Sequence, residues 1–396
     1  MTLNLKIALR ASAIAAAMLA ASQANALDWG GYFRAGPGAT SKDHARACYG
    51  LNGDGLKYRL GNECDFYGEF ALSQGFKTDG VDYKATLMTN LYNPGTDSGS
   101  ASVGINQMYF QGSGFDIAPG VTFWAGKRFY GRADVHIVDT FFTNLSGVGA
   151  GADGINIGAG KLNVAWFRDD GSAAGGASTT PANRVNVDLT DIGVNPGGKL
   201  RVLGTFTNGD FSGGKSGVGL TVQHNQDLGG NTSNVLWVQF AQGSAGLNGN
   251  VGNTTADSGV RGLRVVDSVN WQSGKFGGQA LVLFQQDKDA TGKKTTSATI
   301  GGRGTIGLTK NFKLVGELGY SQKKPDGAPT QNLTKLTIAP TLSPNTDFWT
   351  RPELRLYVTT AKWNDAANAA AGTGGVGGLG NKTSGTSYGA QVEWWF

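Results

Sequence analysis

The fold class that the sequence predicts is all-β: a transmembrane antiparallel β-barrel. Three observations predict it. Residues 1–26 have the pattern of a secretory signal peptide, the rest of the chain is rich in glycine and aromatic residues, and short segments alternate between apolar and polar side chains. This combination suits a closed barrel in a membrane, where lipid-facing and lumen-facing residues follow one another along each strand.

The N-terminal segment has the three parts of a signal peptide. Lys6 and Arg10 give it positive charge, residues 11–21 are apolar, and Ala24-Asn25-Ala26 is a small-residue cleavage site. The apolar part is shorter than the roughly 20 residues of a membrane-spanning helix, which argues against a membrane anchor or a buried helix. We therefore expect the mature chain to begin at Leu27. Removing the two cations from the formal charge of +5 leaves +3, a mildly basic protein.

The composition differs from that of a soluble enzyme. The chain has 64 glycines and a mean hydropathy of −0.22, and only 16% of its residues are charged while 10% are aromatic. No apolar run after residue 26 approaches the length of a membrane helix. Composition alone leaves a secreted β-sandwich or β-helix open, because the barrel signal of each strand is weak.

Strand-like alternation recurs along the chain. Residues 184–189, 312–321 and 353–358 each place apolar side chains on one face and polar or charged side chains on the other. Each is predicted to be a strand with one face in lipid or in a core. In the last segment, Tyr388–Phe396, alternate residues are apolar, and Trp394 and Phe396 suit the aromatic girdle at a membrane interface.

Turn-forming clusters separate these segments. Asn195-Pro196-Gly197-Gly198 and Pro325-Asp326-Gly327 have turn chemistry. Three longer Gly-rich stretches are expected to be mobile surface loops: 171–183, 243–259 and 366–385. Because no linker separates two different halves, residues 27–396 are expected to form one domain, long enough for about 16–18 strands of about ten residues each.

The two cysteines, Cys48 and Cys64, are expected to form a disulfide, since an exported protein enters an oxidising compartment. No histidine or second thiol pair stands at ligand spacing, so no metal site is predicted and no cofactor is expected.

Apparent enzyme motifs lack their structural context. Gly385–Gly389 matches G-x-S-x-G, but its serine runs straight into the last predicted strand and no helix follows. Gly149–Gly154 and Gly302–Gly307 match G-x-G-x-x-G, yet neither opens an amphipathic helix. The three histidines, His44, His136 and His224, are scattered. No catalytic residue is therefore predicted.

Three strands place an aromatic ring beside a charge on the same face. The pairs are Tyr32 with Arg34, Tyr67 with Glu69, and Trp395 with Glu393. A charge on the lipid face would be costly, so these faces are expected to line the lumen. The first and last strands of a closed barrel are neighbours, which predicts that Tyr32 lies near Trp395. Rings beside hydrogen-bonding charges suit sugars, although ordinary packing of the lumen would give the same pattern.

The sequence resembles the maltoporins, the sugar-specific porins of Gram-negative outer membranes. The matching segments extend from the start of the expected mature chain to its end: Gly31–Arg34, Lys57–Cys64, Trp124–Tyr130, Asp134–His136, Asn195–Gly198, Arg351–Pro352, Ala361–Trp363 and Glu393–Phe396.

The resemblance implies an 18-stranded, trimeric barrel whose third external loop, here Tyr130–Gly149, folds inward as a constriction. It also implies a ladder of aromatic rings, the greasy slide, at Tyr32, Tyr67 and Trp395, and a first-loop disulfide. The charged residues that match the family's polar path are Arg34, Arg59, Glu69, Arg132, Asp134 and Asp139.

The chain also departs from the family pattern. The constriction tyrosine matches Phe141, which lacks the hydroxyl, and a slide phenylalanine matches Leu220. The slide tryptophan of a late strand falls near Thr296–Ser297, and the second external loop, around Asn93–Val103, contains no tryptophan. A shortened slide predicts weaker binding of long glucans than a complete one.

These observations together predict a passive outer-membrane channel for sugars, not an enzyme. A general porin for small hydrophilic solutes and ions is the alternative within the class, and an outer-membrane hydrolase is the alternative outside it. The expected partners are sugars, outer-membrane lipid and two further copies of the chain. The external loops would suit a receptor role for phage, and no nucleic-acid partner is expected.

Overall fold

The computed structural model describes residues 27–41, 46–95, 101–170 and 180–396. The predicted signal peptide lies outside these residues. The strands, numbered in chain order, are β1 (Asp28–Ala35), β2 (Gly38–Thr40), β3 (Phe66–Thr78), β4 (Val81–Asn93), β5 (Ser102–Ser113), β6 (Thr122–Arg128), β7 (Ala133–Val135), β8 (Thr140–Thr143), β9 (Gly147–Asn156), β10 (Lys161–Asp169), β11 (Ala182–Asn195), β12 (Gly198–Gly209), β13 (Ser216–Gly229), β14 (Thr232–Gly243), β15 (Arg261–Ser273), β16 (Phe276–Lys288), β17 (Lys294–Gly307), β18 (Phe312–Pro325), β19 (Gln331–Leu342), β20 (Glu353–Trp363) and β21 (Ser384–Trp395).

Helix is scarce in this fold. One α-helix, α1 (Asp365–Ala370), and two 3₁₀ turns, His136–Val138 and Val376–Gly378, occur among the described residues. None of the helices in the described part of the chain is long and apolar enough to cross a membrane.

The strands form a closed antiparallel barrel. Strand β1 pairs with both β3 and β21, so the first and last strands meet at a closure seam. Nineteen strands of the described chain belong to this sheet, and the three-residue β2 continues β1 along β21, which leaves eighteen strands in the wall. The predicted fold class and strand number are confirmed.

Side chains alternate between the two faces of each strand, as the sequence predicts. In contrast to a soluble protein, the apolar side chains are exposed and the charged side chains are buried. On β18, Leu318 is 53% exposed on the outer surface, whereas Lys313 and Glu317 are buried inside. On β20, Leu356 faces outward between the buried Arg355 and Tyr357. Apolar residues outside and charged residues inside are what a hydrocarbon surround requires, because a basic side chain in the lipid midplane costs about 2–4 kcal/mol.

The two ends of the barrel differ in their connections. At one end, turns such as the one between Asn195 and Gly198 join strands directly, and Gly197 there has φ +74°, which favours glycine. At the other end, longer loops connect the strands. Of the stretches predicted as surface loops, residues 171–179 lie outside the described residues.

Two of the predicted surface loops pack against the barrel instead of lying free. In the 243–259 stretch, Asn248 accepts a hydrogen bond from the backbone N–H of Asn144 inside the lumen, at 2.8 Å. In the 366–385 stretch, Ala367 of α1 and Leu379 are buried with Trp363. Their composition did not show these contacts, because the partners are distant in sequence.

Residues 129–146, which connect β6 to β9, fold into the lumen and form the constriction loop. Its apolar residues Val135, Ile137, Val138 and Phe142 are fully buried. They pack against inward-pointing residues of the wall on the side away from the closure seam, which is called the far side below: Trp237, Val266, Leu281 and Leu283. The predicted segment, Tyr130–Gly149, extended slightly too far, because residues 147–149 already belong to strand β9.

The first loop, described from residue 46 to residue 65, also lies inside the barrel. Its predicted disulfide between Cys48 and Cys64 is present, with the Cα atoms 5.9 Å apart. The backbone N–H of Arg59 donates to the carbonyl oxygen of Ile137 at 2.9 Å, so the loop pairs with the constriction loop. The Tyr58 hydroxyl lies 2.7 Å from that of Thr299 on the wall. The two loops together pack against the far side and leave a cavity along the seam side.

Candidate functional site

A cavity of about 440 Å³ lies between the constriction loop and the closure seam. All ten residues predicted for the sugar path lie in its wall: Tyr32, Arg34, Arg59, Tyr67, Glu69, Arg132, Asp134, Asp139, Phe141 and Trp395. Three residues that were not predicted complete the lining: Asp65, Tyr92 and His136. The strands and loops that carry the pattern therefore converge on one place.

Strand register explains how the rings come together. Tyr32 on β1 is the Cα partner of Trp395 on β21, as barrel closure predicts. Arg34 is the Cα partner of Tyr67 on β3, and the rings of Tyr32 and Tyr67 have centroids 6.3 Å apart. Because side chains alternate along each strand, Trp394 and Phe396 point outward, where their rings lie 4.3 Å apart.

Trp349 continues this row of rings, and the sequence analysis missed it. It lies in the connection between β19 and β20, its ring centroid is 6.4 Å from that of Trp395, and it is 44% exposed. The connection bends back into the lumen, where Phe348 is buried and its N–H donates to Gln272 Oε1 at 2.9 Å. The nearby Arg351-Pro352 was noted only as a matching segment.

The positions that match the family's other slide residues, Leu220 and Thr296–Ser297, lie apart from the row of rings along the seam. Leu220 is 48% exposed on the outer surface, opposite Phe240 on the neighbouring strand, so it faces lipid. Thr296 and Ser297 lie on β17, and Ser297 lines a separate recess together with Asp287 and Arg264 on the far side. No ring of the row along the seam comes from these strands.

Glu393 is the centre of an ion-pair network at the seam. The carboxylate is fully buried, and it lies 2.9 Å from Arg351 Nε and 3.2 Å from Arg59 Nη2. Arg355 binds the same carboxylate. Buried charges are tolerated when they are paired in this way. Removal of one partner is destabilising, because it leaves the other charge buried without compensation.

His136 lies within this network. Its Nδ1 is 3.3 Å from Arg59 Nη1, its Nε2 is 3.3 Å from Arg351 Nη2, and its ring meets that of Trp395 edge-on at 5.6 Å. Burial, together with the positive charge of Arg59, holds the pKa of His136 well below its ordinary value. The side chain is therefore neutral at pH 7. This position could not be predicted from the sequence, since a lone histidine carries no pattern.

Arg132 presents a guanidinium held between two rings. Its Cζ lies 4.0 Å from the centroid of Phe129 and 3.8 Å from that of Phe141. Among the described residues it forms no hydrogen bond or ion pair within bonding distance. Burial lowers its pKa, although Glu69 and Asp134 favour the charged form. Phe141, which has no hydroxyl, thus positions the cation by packing.

The two aspartates of the constriction loop differ. Burial raises the pKa of Asp134 above its usual range. Burial alone would also raise the pKa of Asp139, but Arg59 and Lys57 outweigh it and lower the pKa, with Lys57 Nζ 2.7 Å from Asp139 Oδ2. The cavity lining has four carboxylates and three guanidiniums in all, so its fixed charge is net negative when every carboxylate is ionised.

Neither metal nor nucleophile chemistry is supported by the geometry. Within the described ranges, no group of three or more His, Cys, Asp or Glu residues is arranged to hold a metal ion. Ser387, from the G-x-S-x-G match, is buried in strand β21, where its hydroxyl donates to the Ala47 carbonyl oxygen at 3.0 Å and lies 2.8 Å from the Tyr49 hydroxyl. His224 on β13 lies 3.3 Å from Asn195, and His44 falls outside the described residues.

The chain is similar to known porins. The model of the LamB porin family matches residues 27–396. Among solved structures, OccAB1 of Acinetobacter baumannii is 10% identical with a TM-score of 0.51, covering 93% of this chain and 96% of that chain. An anion-selective porin from Comamonas acidovorans is 13% identical with a TM-score of 0.49, covering 94% and 99%. OmpT of Vibrio cholerae, in a trimer form, is 11% identical with a TM-score of 0.47, covering 93% and 99%.

Proposed function

The chain belongs to the LamB porin family and is an outer-membrane porin, and from this premise we propose that its pore is selective for carbohydrates. The observation that supports the proposal is the row of rings along the seam. From the long-loop end to the short-turn end, the row consists of Tyr67, Tyr32, Trp395 and Trp349. The first two rings and the last two rings have centroids about 6 Å apart, and Tyr32 and Trp395 are partners in the strand register. A sugar presents an apolar C–H face to such rings.

Charged side chains beside the rings provide for the hydroxyl groups. The Tyr67 hydroxyl and Asn106 Nδ2 both donate to Glu69, which remains an acceptor on the open side of the cavity. Arg132 provides donors on the opposite side. Charge-assisted hydrogen bonds of this kind are strong and directional, so they orient a sugar while the rings let it slide.

The constriction loop also gives the pore its ion selectivity in this proposal. Arg132, Asp134 and Asp139 project into the narrow passage, where opposed charges focus the local field. The net negative lining favours cations over anions.

The proposal extends to assembly and export. In this proposal the signal peptide is cleaved after Ala26, the mature chain forms a homotrimer in the outer membrane, and the external loops are available to phage. N-terminal sequencing of purified protein, and its oligomeric state in detergent, test the first two points.

The decisive experiment is sugar block of ion current in planar bilayers. We expect maltose and longer α-1,4-glucans to block the wild-type channel, and Trp395→Ala to weaken the block by about fivefold, the equivalent of about 1 kcal/mol for one lost stack. Tyr388→Ala is the matched control, since Tyr388 is 48% exposed on the lipid face.

Two outcomes would contradict the proposal in different ways. If no mono- or oligosaccharide blocks the wild-type channel, the protein is a general porin for small hydrophilic solutes. If sugars block wild type and Trp395→Ala equally, the pore binds sugar at another place.

A further inference from the structure

Tyr92 is an aromatic residue inside the lumen that the row along the seam does not include. It lies near the end of β4 and is the Cα partner of Tyr67. Two residues earlier on the same face, Asn90 is the partner of Glu69, whose side chain faces the cavity. Strand parity therefore directs Tyr92 inward, while Leu91 points to the outer surface.

The position of Tyr92 joins two spaces. It lines the sugar cavity, and it also lines a second cavity of about 520 Å³ at the long-loop end, beside the disulfide of the first loop. Asp65 is the other residue that both cavities share. The two cavities therefore adjoin at Tyr92 and Asp65.

The ring of Tyr92 has exposed surface that none of the described side chains bonds to. It is 40% exposed, although it lies within the barrel. Among the described residues its side chain forms no hydrogen bond, ion pair or ring contact, whereas the Tyr67 hydroxyl is already bound to Glu69. An exposed ring without a partner in a water-filled channel leaves apolar surface hydrated, and a sugar face would cover it.

Asp65 supplies the polar half of the same position. Its Oδ1 accepts a hydrogen bond from Arg34 Nε at 3.0 Å, and its Oδ2 accepts one from Nη2 at 2.8 Å. Burial alone would raise the pKa of Asp65, but the bonds and charge of Arg34 lower it, so the carboxylate is ionised. Each of its oxygens has a second lone pair for a sugar hydroxyl.

We infer that Tyr92 and Asp65 form an outer sugar subsite, in which one glucose-sized ring stacks on Tyr92 before the chain reaches Tyr67. The inference rests on the proposed sugar selectivity. It concerns a ring carried by the barrel wall of the same chain, while the neighbouring loop, residues 93–103, contributes no tryptophan. The outer subsite extends the shortened row by one position, so it strengthens the binding of oligosaccharides more than that of disaccharides.

The test compares glucans of two, three and six units as blockers added from the long-loop side. We expect Tyr92→Ala to lower the binding constant of the hexasaccharide about fivefold, to lower its association rate, and to change that of the disaccharide little. Tyr92→Phe should bind as wild type, because the ring is retained. Tyr92→Leu keeps an apolar side chain of similar size without the ring, and it should behave like Tyr92→Ala.

Controls separate this inference from the proposed function. Tyr388→Ala carries the same substitution on the lipid face and should leave block by the hexasaccharide unchanged. If wild type and Tyr92→Ala bind the hexasaccharide equally while Trp395→Ala binds it weakly, the outer subsite does not exist and the sugar site remains. If no sugar blocks the wild type, both the proposed function and the outer subsite are overturned. If Tyr92→Ala does not assemble, equal binding by wild type and Tyr92→Leu overturns the inference.

Discussion

The two sides of the lumen are built on the same alternating strands, yet one leaves a cavity open, which is the path of the proposed function, and the other binds the constriction loop through an apolar contact, called the seal here. On the seam side, inward residues of β1, β3 and β21 are rings and charges, and a cavity remains open between them. On the far side, inward residues of β14 to β16 are Trp237, Val266, Leu281 and Leu283, and the apolar residues of the constriction loop pack against them. Barrel geometry sets the wall, whereas the inward side chains decide whether a loop adheres to it or leaves a passage.

The constriction loop has an apolar face and a charged face, and this explains why it folds into the lumen. Val135, Ile137 and Val138 face the seal, while Arg132, Asp134 and Asp139 face the path. Burial of the apolar face stabilises the inward position, at roughly 25 cal/mol for each Å² of apolar surface removed from water. The charged face then remains in water, where ions and solutes pass.

The largest effect should come from breaking the seal. Phe142→Ala removes a fully buried ring and should cost about 3–5 kcal/mol, as for other buried aromatic residues. We expect the constriction loop to detach from the far wall, which would raise single-channel conductance and current noise and lower the thermal transition. Phe110→Ala, on the lipid face, is the control and should lose much less. Similar losses in the two variants would show that the seal does not hold the loop.

The seam side should respond to acid through His136. Because the pKa of His136 in the folded protein lies below the unfolded value of 6.5, the unfolded state binds its proton first. Stability is therefore lost progressively as pH falls below about 6.5, by up to about 1.4 kcal/mol for each pH unit. Arg59, Arg351 and Glu393 are the charges that face the ring.

His136→Gln tests this pH dependence, since a glutamine side chain keeps polar contacts and does not titrate. We expect thermal stability measured between pH 7 and pH 5 to fall less steeply in this variant than in wild type. His224→Gln, outside the network, should keep the wild-type slope. An unchanged slope in His136→Gln would mean that other groups control the acid response.

The charges of the path should set ion selectivity without affecting the seal. Replacing Asp134 and Asp139 together with asparagine removes two negative charges from the lining of the passage. We expect the reversal potential across a salt gradient to shift away from cation preference, with little change in the thermal transition. Unchanged reversal potentials would show that neither aspartate lies in the ion path.

The disulfide should contribute mainly to local stability. A loop closed by about 15 residues corresponds to about 3 kcal/mol in the chain-entropy estimate, but the first loop is already bonded to the wall at Thr299 and Glu317. Cys48→Ser with Cys64→Ser should therefore change the thermal transition by less than that estimate and alter mainly the mouth of the barrel. Increased protease cleavage near residue 50 would confirm a local effect, and complete loss of folded barrel would contradict it.

Strand parity made most of the wall predictable. The faces of Tyr32, Tyr67 and Trp395 follow from a period of two residues, and the contact between the first and last strands follows from closure. The same parity also argues against Leu220, because Val218 and Val222 share its face and that face is apolar. The resemblance placed Leu220 inside, in the divergent middle of the chain where an alignment can slip by one residue, and such a slip reverses the face.

The inward connections were harder to predict. Trp349 and His136 belong to segments without periodicity, and their positions depend on partners far away in sequence, such as Glu393 and Trp395. Local composition marks such segments as loops and does not show on which side of the wall they lie. The constriction loop was placed through the family resemblance, and its charged residues were consistent with a watery passage.

The closure register has a consequence for biogenesis. Tyr32 lies on the first strand and Trp395 on the last, and they become partners when β1 pairs with β21. A barrel that lacks its final strand, or whose edges stay apart, has no complete row of rings. Under the proposed function, recognition of solute is therefore acquired late in assembly, and a ligand that contacts both edges would hold the first and last strands together.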